Sequence, residues 1–94
     1  MNKDEIVQAL QKHQYNQIQA DGVANELSQM DSQLIPLLEK WIKDDTETDY
    51  AVEGFSILEF MSLYNMAYPA ALLTIDWLIK DPQTATTAIK KGIK

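Results

Sequence analysis

The chain has 94 residues, of which 46% are hydrophobic, and a formal net charge of -6. That is apolar bulk enough for one core, but too short a chain for the two-domain layouts in which enzymes often place a cleft. The absence of cysteine excludes disulfide staples, thiolate metal sites and cysteine nucleophiles.

All eight basic residues are lysines. The planar fork that arginine brings to phosphates and guanine edges is therefore missing, and an acidic domain is repelled by a nucleic-acid backbone unless its lysines cluster. They cluster only weakly: Lys90, Lys91 and Lys94 form a small basic tail, Lys40 and Lys43 share one polar face, and Lys3, Lys12 and Lys80 are scattered. No charged-then-apolar leader opens the sequence. Its apolar stretches, around 34–38 and 70–79, break off well short of the roughly 20 residues needed to cross a bilayer. A cytoplasmic protein with no membrane partner is expected.

In chain order, Asn2 followed by Glu5 has the spacing of a capping box, and Ile6, Ala9, Leu10 and His13 then fall on one side of a first helix ending near residue 13. Ala20, Val23, Ala24, Leu27 and Met30 form the stripe of a second helix, with Gly22 on its polar side. Asp31 or Ser32 is placed to cap a third, whose inner face carries Leu34, Leu37, Leu38, Trp41 and Ile42, with Pro36 near its start. Residues 44–54 have no helical period, and their charge and terminal glycine predict an acidic surface loop, extended at 50–52.

Ser56 and Glu59 make a second capping box, with Phe55 before the cap and Phe60 placed to close a hydrophobic staple over it. The helix that starts at Ile57 should end near Asn65, a residue tolerant of the left-handed conformation. Pro69 should open the next helix, which runs to about Lys80. Asp81 and Pro82 stop and restart the chain, Ala85, Ala88 and Ile89 mark a short last helix, and Gly92 is placed to cap its end. The expected fold class is all-α, a compact orthogonal bundle of about six short helices. It is read as a single domain over 1–94, with a three-helix half at 2–43, the acidic loop at 44–54 and a helical half at 56–92.

Residues 56–80 have the outline of a helix-turn-helix. As a DNA reader the unit is poor, because 56–79 contains no lysine or arginine and the would-be recognition helix is apolar with Asp76 on its edge. Asp45, Glu47 and Asp49 alternate as an EF-hand loop begins, but Tyr50 replaces the glycine at the sixth position and Ser56 the glutamate at the twelfth. His13 is the sole histidine and cannot assemble a zinc site, and no serine or carboxylate stands near it in sequence at a triad spacing. Asp44 and Asp45 have no apolar wall to split their pKa values, and the three glycines are too isolated for a phosphate loop. The reading gives no catalytic residue, no metal, no cofactor and no small-molecule substrate.

The helix over 69–80 departs from a simple core element. Leu72, Ile75, Leu78, Ile79 and Ala71 make one apolar face, and Ala70, Leu73 and Trp77 a second. So small a chain must bury nearly all its large side chains, so Trp77 is expected to be mostly buried. Should the second face stay open, Leu73, Trp77 and Tyr68 are the candidate partner-binding residues. The functional expectation is a small non-enzymatic protein-interaction module, an accessory or regulatory protein of a bacterium or mobile element, that binds a protein partner or self-associates. A nucleic-acid-binding regulator of helix-turn-helix type is the alternative.

Overall fold

A computed structural model describes residues 2–92. They form six helices and one two-stranded hairpin, an all-α protein in which residues 1–46 and 47–94 make two compact units.

The first unit holds α1 (Lys3–Lys12), α2 (Gln17–Leu27) and α3 (Ile35–Asp44). Asn2 caps α1 by accepting the Glu5 N–H at 2.9 Å, and Ile6, Ala9 and Leu10 are buried. The helix ends at His13, followed by Gln14 at φ 75. The Gln14 N–H reaches the Gln11 carbonyl and the Tyr15 N–H the Leu10 carbonyl, both at 3.0 Å. This is a Schellman exit built on glutamine where glycine is usual.

Asn16 then opens α2 with a full capping box: its side chain accepts the Gln19 N–H at 2.8 Å, and Gln19 accepts the Asn16 N–H at 3.2 Å. Ala20, Ala24 and Leu27 are buried on the expected stripe and Val23 is half-buried. α1 packs against α2 and against α3. α3 corrects the expected cap. Leu34 takes the N-cap position with no side-chain bond, while the Asp31 carboxylate accepts the Gln33 N–H at 3.0 Å in the turn before it. Leu38 and Trp41 are buried, and Leu37 and Ile42 half-buried.

The second unit opens with a hairpin that the sequence shows only as a loop. β1 (Ala51–Val52) pairs antiparallel with β2 (Phe55–Ser56), Val52 opposite Phe55. Glu53 and Gly54 make the connection at φ 55 and φ 82, the two positive values a type I′ turn requires.

α4 (Ile57–Tyr64) carries the expected box, with Ser56 Oγ accepting the Glu59 N–H and Glu59 Oε1 accepting the Ser56 N–H, both at 3.2 Å. The staple is also present, Phe55 and Phe60 stacking with ring centroids 5.7 Å apart. Asn65 ends α4 at φ 56. α5 (Tyr68–Lys80) starts one residue ahead of the expected Pro69, because proline is tolerated anywhere in the first turn, where N–H groups have no helical partner.

α6 (Pro82–Gly92) is a full helix instead of a short one, capped by Asp81, whose carboxylate accepts the Thr84 N–H at 3.4 Å. Gly92 is still helical, so the stop expected there lies outside the described residues, as does Lys94 of the basic tail. α5 packs against α4, α6 and β1. No helix among the described residues is long and apolar enough to cross a membrane.

Candidate interaction surface

At 100° per residue, Tyr68, Leu72 and Ile75 define the middle of α5's inner face, with Ala71 and Leu78 on one flank and Asp76 on the other. All six are buried. Trp77 falls roughly 180° from the middle of that arc, between Ala70 and Leu73. The structure corrects the expectation of a mostly buried side chain here: Trp77 is 40% exposed, Leu73 half-buried and Ala70 exposed. The interior of α5 is filled without the indole. It is Asp76 that turns inward, 7% exposed, with Lys80 Nζ 2.9 Å from its Oδ2.

Leu73 and Trp77, one helical turn apart, therefore share an outward stripe. Tyr68 does not join them. It lies on the opposite side of α5, 2% exposed, and donates its hydroxyl to the Thr48 carbonyl at 2.9 Å. Burial, and after it the charges of Glu47 and Asp49, push its phenol up to about 12. The i, i+4, i+7 spacing of Tyr68, Leu72 and Ile75 was the sequence signal that separates it from Trp77.

The acidic run is divided among helix ends. Asp44 belongs to α3, and Asp45 ends it in the left-handed conformation at φ 54. Asp49 Oδ1 accepts the N–H groups of Tyr50 and Leu58 at 3.0 Å each, so a carboxylate sits against the first turn of α4, where the helix dipole favours it. Among the described residues, no three histidine, cysteine, aspartate or glutamate side chains group as metal ligands.

Sequence spacing gave His13 no partner, but folding supplies two. Its ring stacks on Trp41, with centroids 4.5 Å apart and planes at 24°, and its Nε2 lies 3.1 Å from Asp45 Oδ1. His13 is the C-cap of α1 and Asp45 that of α3. The cluster thus ties two helix exits together over an indole that is itself buried, at 3% exposure. The contact spans 32 residues, a separation at which no local spacing rule operates.

Of the basic tail, Lys90 and Lys91 are exposed in the last turn of α6. Compared with protein-family models, with curated proteins and with solved structures, the chain matches none.

Proposed function

We propose that this protein is a small, non-enzymatic protein-interaction module, a cytoplasmic accessory or regulatory factor that meets its partner, or a second copy of itself, through the outer stripe of α5. The supporting observation is Trp77: a tryptophan 40% exposed at the far side of a helix from its buried face, with half-buried Leu73 one turn away. Tryptophan carries more binding energy than most residues when a partner desolvates it, and a folded chain gains little from leaving one open.

The alternative, a nucleic-acid-binding regulator, draws on α4 and α5 packing together across the short turn at 65–67. Against it stands the charge of that unit: its one lysine, Lys80, lies beside Asp76, and phosphate attraction dominates nucleic-acid affinity.

One experiment separates these readings. Wild-type protein, Leu73→Ala and Trp77→Ala, matched for helicity by circular dichroism, are compared by light scattering over a concentration range, by affinity capture from the source cytoplasm, and by mobility shift on duplex DNA. The proposal expects an assembly or a captured protein that both variants lose. Assembly and capture indifferent to both substitutions would defeat it, and sequence-selective DNA retardation would install the alternative.

A further inference from the structure

A second surface, away from the α5 stripe, lies between the hairpin turn and α4. Gly54, Phe55, Glu59, Phe60, Leu63 and Tyr64 line a cleft of about 120 Å³. At roughly 30 Å³ per water, this is room for one medium-sized apolar side chain. Its floor is aromatic: Phe60 stacks on Phe55 at 5.7 Å and meets Tyr64 at 6.0 Å with planes tilted by 40°. The capping box and staple hold this floor rigid, since Phe60 is fully buried and Glu59 is bonded to Ser56.

Two features keep the cleft open at its edges. Leu63 stands 68% exposed on one side, a large apolar side chain left in water. On the other, Gly54 has no atom within 4 Å of where a Cβ would stand.

The charge around the cleft has one sign. Glu59 is the one charged residue in its lining, and Glu53 directly precedes the lining residue Gly54 in the turn. Both carboxylates are exposed, Glu59 on α4 and Glu53 in the hairpin turn. An apolar slot with one carboxylate in its lining and another next to it in the turn repels acidic segments and concentrates cationic ones.

We propose that this cleft docks a basic peptide segment of a partner protein, which inserts one apolar side chain between Phe55, Leu63 and Tyr64 while flanking lysines or arginines meet Glu53 and Glu59. The aromatic floor takes the side chain and the carboxylates select its context. Neither Leu73 nor Trp77 lines the cleft, so the proposal stands or falls independently of the α5 stripe.

The test is an NMR titration of the full chain, labelled with nitrogen-15, with the synthetic peptide Lys-Lys-Leu-Lys-Lys and the control Glu-Glu-Leu-Glu-Glu, both with blocked ends. The basic peptide should shift the amides of Gly54, Leu63 and Tyr64 saturably. Raising the salt to screen the carboxylates should weaken it by about tenfold. Leu63→Ser, at an exposed position that leaves the fold intact, and Glu53→Gln should each weaken it while leaving the spectrum elsewhere unchanged. Equal response to the acidic peptide, shifts confined to another surface, or no shift at millimolar peptide would overturn the proposal. Concentration-dependent shifts of the same amides without peptide would assign the cleft to a second copy of the chain, and overturn it equally.

Discussion

The Tyr68 hydroxyl donates to the Thr48 carbonyl at 2.9 Å, joining the acidic run to the first turn of α5 across 20 residues of sequence. Tyr68→Phe keeps the ring and removes the donor, so it should cost about 1 kcal/mol, the usual net worth of one such bond. Urea unfolding at neutral pH measures it, and an unmoved midpoint would mean that the tether contributes nothing in solution.

The same phenol gives the protein a signature in alkali. Burial first, and then Glu47 and Asp49, raise its pKa from 10.0 to about 12. Since the folded value lies above the unfolded one, the protonated phenol favours the folded state. Its contribution is complete below about pH 10 and is lost as the pH climbs towards 12, by about 2 to 3 kcal/mol in all. Tyr15, raised by its own burial, acts with the same sign, so the informative quantity is the difference between wild type and Tyr68→Phe. Between pH 10 and 12 the wild type should lose more stability than the variant. Parallel losses would show that Tyr68 titrates as an exposed phenol.

Two capping boxes make comparable predictions. Ser56→Ala removes the acceptor of the Glu59 N–H in front of α4, and Asn16→Ala that of the Gln19 N–H in front of α2. Each should lower stability by about 1 kcal/mol, with Ser56→Gly or Asn16→Gly costing only a few tenths. Thermal or urea unfolding of the four variants decides. Alanine variants as stable as the wild type would mean that the side-chain bonds contribute nothing.

How much of this was legible in the sequence depended on the distance over which each feature acts. Ser56, Glu59, Phe55 and Phe60 lie within six residues and encode their box and staple by spacing alone, as does Asn65 at the exit of α4. Asn16 and Gln19 were equally local, but glutamine at the third position is a quieter signal than glutamate, and that box is absent from the sequence reading.

The hairpin escaped because its strands are two residues each, too short to show alternation, and because Glu53 holds a positive φ beside Gly54 where asparagine or aspartate would announce the turn. The His13–Asp45 pair and the inward turn of Asp76 are tertiary. They depend on which face of each helix is covered, and hydrophobicity alone assigned Trp77 to the interior and the aspartate to the edge.

The glycines give a pair of opposite outcomes. Gly22 lies inside α2 with open space around its would-be Cβ, so Gly22→Ala removes backbone freedom from the unfolded chain and should stabilise by about 0.5 to 1 kcal/mol. Gly54 also has open space, but at φ 82 an alanine is strained, and Gly54→Ala should destabilise by about 1 kcal/mol. Thermal unfolding of both variants checks the sign. Stabilisation at both sites would mean that the hairpin turn relaxes out of its positive-φ geometry.

The two tryptophans should behave as opposites. Trp41 is 3% exposed and stacked under His13, whereas Trp77 is 40% exposed on the far side of α5 from its buried arc. Emptying a core aromatic site costs about 3 to 5 kcal/mol, a large share of a total stability of the order of 5 to 15 kcal/mol. Trp41→Ala should fall in that range. Trp77→Ala gives up only the part of the indole that is covered, about 1 to 2 kcal/mol, and should leave a folded protein.

Fluorescence supplies a second reading, taken on variants whose helicity by circular dichroism matches the wild type. In the single-tryptophan proteins Trp41→Phe and Trp77→Phe, iodide should quench the remaining Trp77 strongly and the remaining Trp41 weakly. If Trp77→Ala costs as much as Trp41→Ala and Trp77 is shielded from iodide in the monomer, the indole is a core residue in solution and the α5 stripe loses its anchor. If Trp77 is quenched in dilute solution and becomes shielded on assembly or on addition of the captured partner, with stability changed little by its removal, the stripe is the surface through which this protein binds.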